Sequence, residues 1–380
     1  MPIYLDYSAS HPVYPQVRDE YLAFLDQCYA NSASIHPLGR EASRLIDQSR
    51  QQTARILDCQ DDEIILTSGG SESINLAIKG YVEANPRLNK RIITSLGEHA
   101  ATTETVSWLK KQGYDLVLLP LRPDGCVNLD AFAEALRQPA ALISLIHVNN
   151  ETGAVNPIER IVGLRNQLQS RTAIHIDGVQ TIGRMPFSFK SAGVDMMSGS
   201  GHKVGAPKGI GWLLIRRGIH LAAQIHGGGQ QRGLRSGTEN PPLAGALAHA
   251  LRLATEKLSE ECVQVAELRS QLLSHLTTQN VNYQVLSPPN AVPHILMVAF
   301  PGLRGETLLH ALSAKDIHVS TGAACSSKRK KDNPVLQAMG VPAELAGCAV
   351  RISLAAQNTS EEIYETASAI SESCRRLIKT

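Results

Sequence analysis

The chain has almost no net charge: 37 lysines and arginines against 35 aspartates and glutamates leave +2 over 380 residues. That balance argues against a dedicated nucleic-acid binder, which carries a basic excess or stripe. The seven cysteines, Cys28, Cys59, Cys126, Cys262, Cys325, Cys348 and Cys374, are odd in number and contain no Cys-x-x-Cys pair. Neither a disulfide framework nor a zinc or other metal site is expected, and a reducing, cytoplasmic setting is the default. No apolar stretch reaches membrane-spanning length, and the opening Met1-Pro2-Ile3-Tyr4 has no basic region followed by an apolar run. A protein that is neither secreted nor membrane-embedded is expected. Internal repeats and low-complexity segments are also missing.

What is present is a globular composition, 43% hydrophobic and 19% charged, in a chain long enough for a large domain and a smaller one. Strand-like apolar runs at 64–67, 91–95, 116–119, 142–148, 173–177, 196–198 and 210–215 alternate with helix-like segments, the pattern of a parallel sheet covered by helices. The spacing of Leu258, Val265, Leu268 and Leu272 predicts one long amphipathic helix over about 255–279, leading into a second unit. That unit is predicted to hold strands at 294–300, 317–320 and 350–354, a helix near 306–314 and a terminal helix from Ser360. The expected division is a large domain over 15–255 and a small one formed by 1–14 plus 256–380.

In open α/β sheets ligands gather at the carboxyl ends of strands, and the chemistry-bearing residues fall there. Lys203 follows a strand in Ser198-Gly199-Ser200-Gly201-His202-Lys203, where small neighbours let backbone approach a ligand and Ser200 and His202 suit a phosphate. Taken singly, the stretch reads more readily as a tight turn with a surface lysine. Thr67-Ser68-Gly69-Gly70-Ser71-Glu72-Ser73 opens a helix after a strand, which makes either a phosphate cradle or a plain helix cap. It is neither a P-loop nor a dinucleotide fingerprint. His99 could stack on a flat ring, move protons, or simply cap a helix. Asn150, in His147-Val148-Asn149-Asn150, could hold a ring oxygen or close an Asx-turn. Asp177 ends the hydrophobic strand 173–177, where a carboxylate is costly unless it meets a cation or a protonated ring nitrogen. Arg351 sits within an apolar strand and needs a carboxylate, from protein or substrate. Cys325 lies on a small-residue loop beside Lys328-Arg329-Lys330-Lys331, charge that favours thiolate. The basic run itself is either a solvated face or a docking patch for an acidic or phosphate-bearing partner. The glycine-rich stretch 226–238, with Arg232, Arg235 and Thr238, either completes a phosphate site, including that of a second subunit, or is an ordinary loop.

Together, a phosphate cradle, a ring stacker, an acid for a ring nitrogen and a lysine amine are what pyridoxal phosphate requires. The chain resembles the pyridoxal-phosphate-dependent cysteine desulfurases of the class V aminotransferase fold over nearly its whole length. The matching stretches include Tyr4-Leu5-Asp6-Tyr7-Ser8-Ala9, 67–73, Gly97-Glu98-His99, 147–153, 200–203, 235–238, the Cys325 loop and 351–354. The resemblance implies a fold-type I α/β architecture with a mostly parallel seven-stranded sheet in the large domain. It implies that Lys203 carries the cofactor as a Schiff base and then acts as the base at the substrate Cα. His99 would stack on the ring, Asp177 would pair with its nitrogen, and Gln180 and Asn150 would contact its oxygen. Gly70, Ser71, Ser200 and His202 would hold the phosphate, with Thr238 donated by the other protomer of a homodimer. Arg351, with Asn150, would bind the carboxylate of L-cysteine. Cys325 would take the sulfur as a persulfide, release L-alanine and pass the sulfur to an acceptor protein. The basic run after Cys325 favours a tRNA-thiolation sulfurtransferase over an iron–sulfur scaffold as that acceptor. A selenocysteine lyase or aminotransferase, an inactive scaffold and a redox-sensing thiol protein are the competing readings.

Overall fold

The computed structural model describes residues 2–168, 171–321 and 333–378. A short strand β1 (Ile3–Tyr4) is followed by helices α1 (Pro15–Gln27) and α2 (Pro37–Leu57). The sheet region then alternates β2 (Ile64–Thr67), α3 (Gly70–Ala84), β3 (Arg91–Ser95), α4 (Ala100–Lys111), β4 (Asp115–Leu119), α5 (Leu129–Ala135), β5 (Leu142–Ile146) and α6 (Ile158–Leu168). It continues with β6 (Ala173–Asp177), α7 (Phe189–Ala192), β7 (Met196–Ser200) and β8 (Gly211–Ile215), before α8 (Pro241–Glu256) and α9 (Leu258–Thr278). The last part holds β9 (Gln284–Val285), β10 (Ile295–Ala299), α10 (Gly305–Ser313), β11 (Ile317–His318), α11 (Pro334–Ala338), α12 (Ala343–Ala346), β12 (Ala349–Ser353) and α13 (Ser360–Leu377).

Seven strands form one sheet in the order β2-β8-β7-β6-β5-β3-β4, with β8 antiparallel to both neighbours and the rest pointing the same way. This is the mostly parallel α/β sheet expected from the sequence. Strands β5, β6, β7 and β8 are buried at every position, as strands covered on both faces must be. Successive residues supply opposite layers. Ile64, Ile93, Ile143, Met197 and Leu214 join one core, while Ile65, Ile92, Leu142, Met196 and Leu213 join the core under α3 and α4. A further core gathers Ile3, Leu5, α9, β10, α10, β12 and α13. Its three-stranded sheet runs β12-β10-β9, antiparallel throughout, and β1 pairs with β11 in parallel beside it.

Two differences from the sequence expectation have physical reasons. The helix expected over about 255–279 is α9, but it starts only at Leu258: Lys257, whose φ of −116° and ψ of 23° leave the helical region, separates it from a preceding helix, α8, that the sequence reading did not give. Helix α8 serves the large sheet's core through Leu247 and Leu251, and α9 serves the other core through Leu268 and Leu272, so the chain must change direction between them. The strand expected over 142–148 ends at Ile146, because Val148 turns to pair with Val155. No helix among the described residues is long and apolar enough to cross a membrane.

Candidate active site

Because β2, β3, β5, β6 and β7 point the same way, their carboxyl ends share one edge, and the residues after each are brought there together. Strand β7 runs into a single 3-10 turn, Gly201–Lys203, closed by the Val204 and Ala206 amides donating to the Gly201 carbonyl. Gly199 is required by its neighbour: a Cβ there would lie 2.1 Å from the Trp212 indole on β8. Lys203 Nζ donates to the Ser8 and Ala9 carbonyls at 2.6 and 2.8 Å. Gln180 Nε2 donates to the same Ser8 carbonyl at 2.8 Å, so the lysine and the candidate ring-oxygen donor share one anchor.

Asp177 closes β6 with its side chain buried, and Oδ1 accepts the Val179 amide at 3.0 Å. Burial pushes its carboxyl upward, an effect opposed by His99, the Val179 amide and Lys203. A cationic ring nitrogen would complete the stabilisation of that carboxylate. Below it on the same strand face, the His175 ring bridges Ser144 and Ser198, at 2.9 and 2.8 Å, tying β5, β6 and β7 together. His99 caps α4, its Nδ1 accepting the Ala101 amide at 3.1 Å. Nδ1 therefore carries no proton, which places the ring's proton on Nε2. Burial pulls the ring below its usual value against the opposing charge of Asp177, and Lys203 adds to the drop. It is a neutral imidazole at physiological pH.

Helix α3 starts at Gly70, where a Cβ would meet Val179 Cγ2 at 2.8 Å and Ser200 Cβ at 3.5 Å. The helix N-terminus is thereby pressed against both the 177–180 turn and the end of β7, and its free amides and positive dipole end suit a phosphate. Ser71 is exposed on the first turn, and Ser200 is buried beside it in the chain's packing against Gly70. His202 is held near 4 by burial and by the charges of Lys203 and Lys208, so it too is neutral. Arg351 on β12 is 4% exposed; Nη1 donates to the Asn150 carbonyl and Nη2 to Asp6 Oδ1, both at 2.8 Å. Asn150 thus meets Arg351 through its backbone. Thr238 is exposed and lines a cleft of about 230 Å³ with Thr67, Gly209 and Arg235. Cys325 and the Lys328–Lys331 run lie outside the described residues.

The Aminotransferase class-V family model matches residues 3–365. A cysteine desulfurase IscS from Serratia proteamaculans is 40% identical across 99% of this chain and 94% of its own length, and one from Methanosarcina thermophila is 37% identical across 99% and 92%. A solved NifS-like protein superposes with a TM-score of 0.93 at 36% identity, over 99% of this chain and all of its own.

The chain belongs to the cysteine desulfurase family.

Cysteine desulfurases use pyridoxal phosphate, and the donor set on the sheet edge fits it: a lysine amine, a buried carboxylate, a neutral imidazole and a helix N-terminus closed in by glycine. Four contributors, Asp6, Ser8, Ala9 and Glu98, were not singled out by sequence. Asp6 holds Arg351 and the Ser8 and Ala9 carbonyls hold Lys203, the two cations of the candidate site, yet the only sequence signal was the stretch Tyr4-Leu5-Asp6-Tyr7-Ser8-Ala9. Glu98, next to His99, is fully enclosed and pushed up to about 8 by burial; bonds from Ser95 and Ile146 oppose that rise and Asp177 adds to it. The six described cysteines are free thiols, and the described residues contain no cluster suited to a metal ion.

Proposed function

We propose that this cysteine desulfurase takes sulfur from L-cysteine onto Cys325 and releases L-alanine, with the residues assigned as follows. Pyridoxal phosphate, when bound, supplies the electron sink that loosens the substrate's Cα–H and Cβ–S bonds. Lys203 holds the cofactor covalently and moves the proton at Cα; its Nζ already sits between two carbonyls that accept its hydrogens. Asp177 would pair with the ring nitrogen and Gln180 and Asn150 with the ring oxygen. His99 would stack on the ring and carry protons through Nε2. Gly70, Ser71, Ser200 and His202 hold the phosphate. Arg351 binds the substrate carboxylate, which leaves the thiol free to reach Cys325. The Cys325 thiolate attacks the substrate sulfur, forming an S–S bond as the Cβ–S bond breaks, and a thiol acceptor then removes the outer sulfur. The observation that carries this reading is the convergence of Asp177, His99 and Lys203 on one sheet edge, where His99 and Lys203 oppose the rise of the Asp177 carboxyl and Asp177 and Lys203 both act on the His99 ring.

Cys325→Ala should keep the cofactor's visible absorbance and form neither L-alanine nor sulfide, because the sulfur then has no thiolate to go to; full sulfide production by that variant would refute the assignment. We further propose a cytoplasmic homodimer with units 15–255 and 1–14 plus 256–380. Its favoured acceptor is a tRNA-thiolation sulfurtransferase, with an iron–sulfur scaffold as the competing one. Neutralising Lys328 to Lys331 should slow transfer to the first acceptor while L-alanine formation continues; equal transfer rates to both, untouched by neutralisation, would sink the preference.

A further inference from the structure

We propose that Asp6 is a built-in competitor for the α-carboxylate on Arg351, a positioning residue that keeps the arginine compensated between turnovers. The proposal rests on the reading of Arg351 as the carboxylate site. Nε and Nη2 of a guanidinium form the side-on fork that grips a carboxylate with two parallel bonds. In this fork Nη2 is taken by Asp6 Oδ1 at 2.8 Å, while Nε is buried and finds no partner among the described residues. The fork is therefore half used. A carboxylate that binds it with two bonds must take Nη2 from Asp6 or share it.

The pair is unequal in a way that suits exchange. The Arg351 side chain is 4% exposed and Asp6 is 21% exposed, so Asp6 has water to return to and Arg351 does not. The arginine cannot move away instead. Nη1 is held by the Asn150 carbonyl at 2.8 Å, and its backbone exchanges hydrogen bonds with Ser320 at 2.6 and 3.1 Å. Stripping every anion from such a buried guanidinium is expensive. Asp6 removes that expense as L-alanine leaves, and the same charge opposes the next carboxylate as it arrives. Only the backbone of Asp6 is fixed: it bridges to Ser353, while Ser8 bonds to the Ser353 hydroxyl through its amide and its own hydroxyl at 3.1 and 3.0 Å. The same segment supplies the carbonyls that hold Lys203. One short stretch therefore occupies both cations that meet the amino acid.

Asp6→Asn keeps a carbonyl oxygen for Nη2 and removes the charge. Calorimetric titration of the cofactor-loaded protein with L-alanine should show about tenfold tighter binding in this variant than in wild type, the scale of one hydrogen bond to a charged group. L-alanine should also raise the melting temperature of Asp6→Asn more than that of wild type. Unchanged or weaker binding would overturn the proposal and make Asp6 a strut only. If Asp6→Asn does not fold, Asp6→Ser, which is smaller and also uncharged, carries the same expectation. Arg351→Gln separates the two readings. If it leaves L-alanine affinity intact, Arg351 is not the carboxylate site; if it abolishes binding while the Asp6 variants do not tighten it, only the competitor role fails.

Discussion

Glu98 follows Gly97 in the turn that leads from β3 into α4, and its Oε1 accepts the Ser95 hydroxyl at 2.5 Å and the Ile146 amide at 3.1 Å. Its other oxygen is buried and has no partner among the described residues. With no cation to face and Asp177 nearby, the carboxyl keeps its proton up to about pH 8 in the fold and loses it near its ordinary value of 4.5 when unfolded. Between those values the unfolded chain is ionised and the folded chain is not. Unfolding therefore releases a proton, and this group's contribution to stability falls as pH rises. Glu98→Gln has no such proton. The unfolding free energy of the variant relative to wild type should climb through the window from about pH 5 to pH 8, by up to ~1.4 kcal/mol per pH unit. Denaturant titrations across that range check it, and a flat difference would mean that Glu98 is ionised in the fold. Glu98 and Asp6 were both present in recognised sequence stretches, but neither could be assigned a task there. Their environments come from Ile146 and Asp177 in one case and from Arg351, 345 residues away, in the other.

At the scale of elements, the sheet was legible because buried parallel strands write themselves as continuous apolar runs, such as Ala173-Ile174-His175-Ile176-Asp177. Helix α8 was not, although ten of its sixteen residues are buried. A helix that is apolar on most sides offers little periodic contrast, and its break from α9 at Lys257 reflects which core each half must reach. The strand-end residues were legible for a related reason: polar groups stand out where an apolar run stops. The β7–β8 pair shows how tightly that edge is built. Gly199 lies opposite Trp212 in the antiparallel ladder, and the indole fills the space a side chain would need. Gly199→Ala should destabilise the fold by about 3 kcal/mol, at the upper end of the usual overpacking cost, because the Trp212 ring is itself 1% exposed and has nowhere to go. Trp212→Leu in the same background should restore much of the loss, which thermal unfolding of the two variants would measure. A Gly199→Ala protein as stable as wild type would mean that the strand pair yields more than its packing implies.

At the scale of the whole molecule, the question is which chain Thr238 serves. Arg235, three residues earlier, pairs with Glu72 of its own α3 at 3.0 Å, so the loop's base is tied to the helix of its own chain that is proposed to hold the phosphate. Thr238 itself remains exposed beside a cleft, as a residue reaching into a second protomer would be. A mixed dimer distinguishes the two arrangements. In a dimer of one Lys203→Ala chain and one Thr238→Ala chain, a single site keeps its lysine, namely that of the Thr238→Ala chain. If Thr238 acts across the interface, that site receives the threonine of the Lys203→Ala chain and is complete. Its cofactor should then dissociate as slowly as from wild type, while the Thr238→Ala homodimer loses cofactor roughly tenfold faster, the effect of one hydrogen bond to a charged phosphate. If Thr238 acts within its own chain, the mixed dimer should lose cofactor at the rate of the Thr238→Ala homodimer. Dissociation of cofactor from dimers purified through two different affinity tags reads the outcome directly, and neither result depends on the rate of desulfuration.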